Sequence, residues 1–401
     1  MADRARPDWA LLDSPESPAS IRLAEQAASW RSAYVHIPFC RRRCPYCDFA
    51  VVTPDESDVE ADRYVAALVA EISMEEPWGP LDAVNFGGGT PSTLTDRQLG
   101  TVLTALSDRF GIAADAEISL EANPEDVTER YAADLVATGF TRISLGVQSL
   151  DGEILGVLGR HHAPLQARAA TEASRTAGFG SVSIDLIYGA AGETIESWGR
   201  TVASAVSLQP DHLSAYALTV ETGTALSRAI RDGAEAPDAD HQADDYELLI
   251  AAAGDAGLVH YEVSNFARTG HPCRYNLSTW GQGEYVSFGL GAHGHRNGVR
   301  RRNVRRLDAY LARIEAGERP ESGSEQLDEW QRDQERILLG LRRRCGVIPG
   351  AAGTALWHSM EGRRLIDAGI LDQIGDRLVI LDPLMSDAVG RAVLSVSPGE
   401  C

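Results

Sequence analysis

The stretch YVHIPFCRRRCPYCDF, residues 34–49, decides the fold of this chain. A short apolar run leads into three cysteines, Cys40, Cys44 and Cys47, which are spaced C-x3-C-x2-C. A structural zinc site usually has four ligands, and a [4Fe–4S] cluster held by protein alone needs four thiolates. Three thiolates leave one iron without a protein ligand, so the triplet predicts a [4Fe–4S] cluster with one open position. A zinc site completed by His36 or by a remote cysteine is the alternative.

Two features near the triplet support a ligand site. Arg41–Arg43 place positive charge beside the thiols, which favours their deprotonated form. Gly87–Pro91 (GGGTP) directly follows the next apolar run, and its glycines let the backbone approach a ligand closely and expose peptide N–H groups. A glycine cluster alone is weak evidence, but the same cluster one strand after a cysteine triplet is strong evidence.

Between residues 33 and 220, short apolar runs alternate with helix-like stretches, which predicts βαβ units and a parallel sheet. Six units in series predict an α/β fold with a partial (β/α)6 barrel, followed by a smaller, mainly helical C-terminal domain. We expect Thr95 and Asn123 to cap helices, and Gly139 and Gly178 to end them. The predicted strands are Ala33–Phe39, Ala83–Phe86, Glu117–Glu121, Arg142–Gln148, Ser181–Tyr188 and His212–Thr219, with a later short strand near Leu378–Leu381.

Polar residues lie at or just past the carboxyl ends of these six runs. In barrels of parallel strands the functional site is built at that face from several strand ends. We therefore expect the following residues to converge on one cleft: Cys40, Gly87–Thr90, Glu121, Gln148, Asp185 and Tyr216.

Pattern and composition divide the chain into four parts. They are an N-terminal extension (1–32) expected to be flexible, a core barrel (33–265), a glycine-rich connecting segment (266–306) and a C-terminal domain (307–401). The extension has no apolar h-region of a secretory signal, and no run reaches the roughly 18 apolar residues of a membrane-spanning helix. We therefore expect a cytoplasmic protein. Cys273, Cys345 and Cys401 are scattered and are expected to be ordinary small side chains.

The net charge of −21 over 401 residues disfavours non-specific binding to nucleic acid, so we expect no nucleic-acid partner.

The chain resembles radical S-adenosylmethionine (SAM) proteins of the coproporphyrinogen III oxidase-like group, and within that group the heme chaperones. The resemblance covers nearly the whole chain after about residue 32. It rests on the cysteine loop, the position of Arg160 and the segments NFGGGTPS, SLEANPE, SLGVQSL, SIDLIYG, YEVSNFA and GLGAHGH.

The resemblance implies a cofactor site. The three cysteines would hold three irons of a [4Fe–4S] cluster, and SAM would chelate the fourth iron and be reduced by one electron to a 5′-deoxyadenosyl radical. No separate catalytic residue is implied. Gln148, Arg160 and Asp185 match positions that serve a second SAM in the oxidase, so the number of SAM molecules stays open. The implied SAM contacts are Tyr34, Tyr46, Gly88, Gly89, Thr90, Glu121, Gln148, Arg160, Asp185 and Ala217.

Within this group the chain looks like a heme chaperone, which delivers heme to acceptor proteins. The oxidase loop carries a fourth cysteine two residues after the last ligand, where this chain has Phe49. The oxidase's N-terminal arm is also not recognisable in residues 1–32. Oxygen-independent coproporphyrinogen III oxidase is the alternative, and another radical SAM activity such as RNA modification is the third interpretation.

The resemblance also implies a heme site. Heme chaperones of this type have a segment H-N-x-x-Y-W, and here the matching residues 275–280 read Y-N-L-S-T-W. Tyr275, Asn276 and Trp280 are therefore the predicted heme residues, since tyrosinate can ligate ferric heme. The alternative ligands are His271, Cys273, His293 and His295.

A basic cluster stands out in this acidic chain. Its arginines could bind heme propionates or anionic lipid headgroups, or form an ordinary solvated face. The expected partners are heme, heme-accepting proteins that include membrane-bound respiratory proteins, and an electron donor; a homodimer and peripheral contact with the cytoplasmic membrane stay open. The cluster consists of Arg296, Arg300, Arg301, Arg302, Arg305 and Arg306.

Overall fold

The computed structural model describes residues 18–54 and 61–398. Residues 1–17 of the N-terminal extension and Cys401 lie outside the described residues. The strands are β1 Ser32–Ile37, β2 Leu81–Gly88, β3 Ile112–Ala122, β4 Arg142–Gln148, β5 Ser181–Tyr188, β6 His212–Ala217, β7 Val259–Glu262, β8 Asn265–Ala267, β9 Tyr285–Phe288, β10 His293–Arg296, β11 Val299–Asn303, β12 Glu321–Gln326, β13 Leu371–Ile374 and β14 Arg377–Ile380.

Helices connect most of these strands. They are α1 Pro18–Ala27, α2 Ala61–Met74, α3 Asp96–Phe110, α4 Glu129–Thr138, α5 Gly152–Val157, α6 Pro164–Ala177, α7 Ile195–Ser207, α8 Ala225–Arg231, α9 Ala239–Asp255, α10 Arg274–Trp280, α11 Leu307–Glu315, α12 Glu329–Gly340, α13 Gly350–His358, α14 Met360–Asp367 and α15 Ser386–Ser395.

The predicted partial barrel is confirmed. Strands β1 to β6 are parallel neighbours in sequence order, within a 12-stranded sheet of order β12-β11-β10-β9-β1-β2-β3-β4-β5-β6-β8-β7. Strands β4 and β5 have the predicted bounds, whereas β2 and β3 begin earlier than the apolar runs indicated. The short strand predicted near Leu378–Leu381 is β14.

Alternate residues of each barrel strand face an apolar core beneath the helices. Val35, Phe86, Leu120, Ile143 and Ile184 are fully buried there. Removing this apolar surface from water is the main driving force for the fold. The other face of each strand is thereby left to line the inside of the barrel.

Local signals fix most helix ends. Thr95 caps α3 in a capping box with Gln98, and Gly139 and Gly178 end α4 and α6 in the left-handed conformation, as predicted. The cap predicted at Asn123 is wrong, because a short 3-10 turn follows it and α4 begins later. An Asn-Pro pair suits a turn as well as a helix start, and the Asn123 side chain has another use described below.

Segment 266–306, which we set apart as a connection, extends the main sheet. Strand β9 pairs in parallel with β1, and β10, β11 and β12 continue the sheet in antiparallel order. Helix α11, which our division placed in the C-terminal domain, packs on the main core through Leu307, Tyr310 and Leu311. A second apolar core runs from Ile337 to Val396.

The described part of the N-terminal extension contains helix α1. Ala27 at its end and Trp30 just after it pack against Leu277 of α10. Trp30 also lies under the guanidinium of Arg274, with 5.6 Å between the guanidinium carbon and the ring centroid. In residues 18–54 and 61–398, no helix is long and apolar enough to cross a membrane.

Candidate functional site

The inner face of the barrel is polar. The strand register places Tyr34 beside Asn85 and, one strand further, Ser119 beside Arg142. Closer to the carboxyl edge, Glu121 lies beside Ser144. A lining of hydroxyl, amide and carboxylate groups can bind a charged ligand, which an apolar barrel interior cannot do.

The cysteine loop follows β1 at the carboxyl edge of the sheet, as predicted. Two backbone hydrogen bonds join the start of the loop to its end. The Cys40 N–H donates to the Val52 carbonyl at 3.0 Å, and the Val52 N–H donates to the Pro38 carbonyl at 2.8 Å. The thiol of Cys40 shares a hydrogen bond with the Thr90 hydroxyl at 3.4 Å. The two loops predicted to form one site are therefore in direct contact.

The expectation for the loop arginines is met by one of them: burial raises the pKa of the Cys47 thiol, and the charge of Arg43 acts against that rise, whereas Arg41 and Arg42 have other partners. Arg41 pairs with Asp126 at 2.6 Å, and a guanidinium nitrogen of Arg42 lies 3.2 Å from the His161 ring. The guanidinium that donates to a cysteine belongs instead to Arg160, whose Nη1 lies 3.8 Å from the Cys44 sulfur. The sequence predicts Arg160 only as a contact of SAM, not as a partner of a cysteine.

Arg160 is held by two acceptors. Its Nη2 donates to the Asn123 side-chain oxygen at 2.5 Å and to the Gly146 carbonyl at 2.9 Å. This contact is the use of Asn123 that replaces the predicted helix cap. Gln148 ends β4 with a positive φ of 64°, and its amide nitrogen lies beside Gly146. Arg160 and Gln148 therefore share one corner of the site.

The glycine loop is more closed than predicted. Its N–H groups are used inside the protein, since Gly88 donates to Glu121 at 3.3 Å, Gly89 to the Ile37 carbonyl at 2.8 Å and Thr90 to the Phe39 carbonyl at 2.8 Å. The expectation of exposed N–H groups is wrong. Gly88 has φ of 108°, and a Cβ there would lie 2.3 Å from the His36 ring, so this position requires glycine.

Two carboxylates, Glu121 and Asp185, lie inside the barrel, and among the residues that the structure describes neither has a basic side chain in hydrogen-bond contact. Glu121 accepts from the Gly88 N–H, and Asp185 accepts from the Ser144 hydroxyl at 2.8 Å. Burial, and then the negative charge of Asp185, raise the pKa of Glu121 to about 7. Burial also raises the pKa of Asp185. A cationic ligand would relieve this repulsion, and SAM carries a sulfonium and an ammonium group.

His36 braces the site but has no nitrogen free for a metal. Its Nδ1 lies 3.1 Å from the Tyr34 hydroxyl and its Nε2 lies 2.8 Å from the Ala50 carbonyl oxygen. Burial lowers the pKa of His36 to about 4, so the neutral ring donates from Nε2 and accepts at Nδ1. The zinc alternative completed by His36 therefore lacks that ligand.

The thiols suit a cluster better than a single ion. Within the described ranges, no three His, Cys, Asp or Glu side chains stand close enough together to hold one metal ion. The anchors of a [4Fe–4S] cluster each bind their own iron, so they stand further apart than the ligands of one ion. Burial raises the pKa of Cys40 to about 11, and iron would supply the positive charge that stabilises its thiolate.

Two further predicted SAM contacts flank this cleft. Tyr46 lies between two of the cysteines and packs against an apolar cluster that includes Leu158 and Leu218. Ala217 ends β6 and packs against the main core, whereas its neighbour Tyr216 is exposed. Sequence reasoning missed Asn85, Asn123 and Ser144, whose side chains hold the predicted residues; their positions inside the strands and strand ends were the available signal.

The predicted heme segment lies at the opposite, amino-terminal end of the barrel. Tyr275 on α10 stacks on Tyr34, with 6.1 Å between ring centroids. Burial raises the pKa of Tyr275 well above its usual range, which disfavours tyrosinate. Trp280 lies under the guanidinium of Arg342, 5.4 Å from ring centroid to guanidinium carbon. Asn276 is half-buried.

Comparison with known proteins gives one family model and relatives that match most of this chain. The family model described as "Radical SAM superfamily" matches residues 34–205. The protein "Heme chaperone HemW" of Mycobacterium tuberculosis (strain ATCC 25618 / H37Rv) is 42% identical over 370 residues, which is 90% of this chain and 94% of that protein. The protein of the same name from Bacillus subtilis (strain 168) is 32% identical over 83% of this chain and 88% of its own.

Among solved structures, coproporphyrinogen III oxidase (HemN) from Escherichia coli, described as a radical SAM enzyme, superposes with a TM-score of 0.80. The match covers 96% of this chain and 94% of that one, at 23% identity. At this level of identity the likeness shows the fold alone.

Proposed function

Since the chain belongs to the radical SAM superfamily and, within it, to the HemW family of heme chaperones, we propose that it binds heme and delivers it to heme-accepting proteins. The single observation that carries the proposal is the 42% identity over 90% of the chain, which extends well beyond the barrel. The cleft described above is compatible with it, because three thiols and two buried carboxylates meet at one edge of the sheet.

We propose that Cys40, Cys44 and Cys47 anchor a [4Fe–4S] cluster and that SAM occupies the cleft beside it. When bound, the cluster supplies one-electron reduction of SAM. Glu121 and Asp185 provide negative charge for the cationic groups of SAM. Tyr34, Tyr46, Gly88, Gly89, Thr90, Gln148, Arg160 and Ala217 remain proposed contacts.

The alternative activity, decarboxylation of coproporphyrinogen III, has no specific support in the site. Phe49 occupies the place of the extra cysteine expected for the oxidase and is 60% exposed. A phenyl ring cannot ligate iron, so the loop offers three thiolates only.

The test is an anaerobic comparison of two reactions of the reconstituted protein. We expect saturable heme binding and transfer to an apo-heme protein, with no useful turnover of coproporphyrinogen III in the presence of SAM and reductant. The matched variants are Cys44→Ala, expected to lose the cluster absorption, and Cys345→Ala, expected to keep it because Cys345 is buried in another part of the chain. Sustained formation of the decarboxylated product would contradict the chaperone assignment.

The acceptors and the electron source are also proposals. A heme chaperone needs a protein that takes up its heme, and we propose that membrane-bound respiratory proteins are among these acceptors. A reductant protein is required only if SAM is cleaved during the cycle. Heme transfer measured with and without a reducing system separates these two modes, and a homodimer is tested by the mass of the heme-loaded protein in solution.

A further inference from the structure

The basic cluster of six arginines is mostly neutralised by acids. In residues 18–54 and 61–398, Arg302 and Arg305 are the two members that have no carboxylate within ion-pair distance, and both are exposed. The other four pair as follows: Arg296 with Glu75, Arg300 with Glu325 and Glu335, Arg301 with Glu321, and Arg306 with Asp308.

The two remaining arginines flank an exposed imidazole. His293 begins β10 and pairs directly across the strands with Arg302. Burial, followed by the charges of Arg302 and Arg305, lowers the pKa of His293, so the ring is neutral at pH 7 and can bind a metal through nitrogen. Of the four alternative heme ligands named from the sequence, Cys273 and His295 are buried and His271 is half-buried.

This position lies at the same edge of the sheet as the cysteine loop. Strand β9 runs parallel to β1 and therefore ends at that edge, where the chain turns back into β10 and His293. The Arg305 Nη2 donates to the Asp48 carbonyl at 2.5 Å, directly after the last cysteine. A Cβ at Gly291 would lie 2.8 Å from the Ala50 side chain, so the two loops are in close contact.

The side chain of His293 is on the barrel side of the sheet. Side chains alternate between the two faces of a strand, and Arg296, which has the opposite facing to His293, pairs with Glu75 directly after α2 on the helix side. His295, two residues after His293, lies directly opposite Tyr285 on β9, so the two side chains point to the same side of the sheet. Tyr285 is in turn in register with Ser32 of β1. Phe49, whose ring is exposed, comes between Asp48 and Ala50 in the sequence, and both of these neighbours are in contact with this segment.

We propose that the rim site formed by His293, Arg302, Arg305 and Phe49 receives heme. The imidazole supplies an axial nitrogen, the two guanidinium groups pair with the two propionates, and the phenyl ring covers part of the apolar macrocycle. The assignment rests on the proposed function and replaces α10, whose tyrosine is turned into the barrel, as the heme-binding segment.

The test is a spectroscopic titration of the reconstituted protein with ferric heme. His293→Ala is expected to shift the Soret band and to weaken binding at least tenfold. Arg302→Gln is expected to weaken binding about fivefold with an unshifted Soret band, because a charge partner is lost and the ligand stays. Tyr275→Phe and His271→Ala are the matched controls and are expected to behave as wild type.

Heme dimethyl ester separates the propionate contact from other effects of Arg302. The wild-type protein should bind the ester more weakly than heme, and Arg302→Gln should cause no further loss. Equal cluster absorption and circular dichroism of all variants show that the fold is intact. A wild-type spectrum and affinity for His293→Ala, or a change in Tyr275→Phe instead, overturns the rim site. Absence of heme binding by the wild-type chain is a different result, which refutes the proposed function itself.

Discussion

We expect the affinity for SAM to fall as the pH drops from 8 to 6, because the ligand is a cation and Glu121 becomes protonated. The pKa of Glu121 is raised to about 7, by burial first and by the charge of Asp185 second. At pH 8 the carboxyl group is about nine-tenths ionised, and at pH 6 only about one-tenth is ionised. If SAM binds the ionised form alone, the apparent Kd rises about tenfold across this range, which is about 1.4 kcal/mol.

The sign of this effect depends on the charge of the ligand. A cation stabilises the carboxylate, so binding takes up no proton at pH 8 and must displace one at pH 6, which weakens binding at the lower pH. The assay is anaerobic calorimetry or equilibrium dialysis with the cluster-loaded protein at both pH values. Glu121→Gln should bind SAM weakly at both and lose the tenfold difference.

Asp185→Asn provides the finer control. Removing the charge of Asp185 lowers the pKa of Glu121, so the decline in affinity should move to lower pH. An affinity for SAM that is constant between pH 6 and 8 in the wild-type protein, or a tenfold decline that persists in Glu121→Gln, refutes the assignment of this carboxylate.

Two further outcomes follow from contacts of the cysteine loop. Arg160→Gln should lower the reduction potential of the cluster by about 50–100 mV in an anaerobic titration, since a charge-assisted hydrogen bond to the Cys44 sulfur is lost. The control is Arg42→Gln, whose guanidinium lies beside the His161 ring instead, and it should leave the potential unchanged. Equal potentials in both variants would contradict this prediction. Gly88→Ala should destabilise the fold by about 1–3 kcal/mol in denaturant unfolding, because of its positive φ and the nearby His36 ring, while Gly152→Ala, with open space around it, should not.

The strand ends could be predicted because their signals are local. In β4 the apolar run leads directly to the polar Gln148 that ends it, and the structure reproduces the predicted bounds of both β4 and β5. The contact between Asn123 and Arg160 could not be predicted, since it joins residues that are 37 positions apart and depends on how α5 returns to the barrel. Asn123 before a proline has the local signature of a cap, and nothing nearby indicates the guanidinium.

The runs of charged residues predicted their contacts least well, because those contacts also depend on which acceptors the fold brings near. Three consecutive arginines in the cysteine loop indicated positive charge at the thiols, and the charge of Arg43 does act on Cys47, yet Arg41 extends to Asp126 and Arg42 lies 3.2 Å from the His161 ring. Sequence proximity fixes where an arginine begins, but its long side chain reaches whichever acceptor the fold brings near. The basic cluster shows this as well, because Arg296, Arg300 and Arg301 pair with acids that are distant in sequence.

The extension of the sheet beyond β1 connects the proposed cofactor and heme sites. Tyr64 of α2 donates to the His36 carbonyl at 2.8 Å and accepts from the Leu290 N–H at 3.1 Å, so one buried hydroxyl joins the end of β1 to the turn before β10. Glu71 accepts from the Gly289 N–H at 2.8 Å in the same turn. A barrel that ended at β1 would have no such brace, and the rim at His293 would be free to move relative to the cysteines. The added strands therefore fix the distance between the two sites, which is what a protein needs if the occupancy of one is to affect the other.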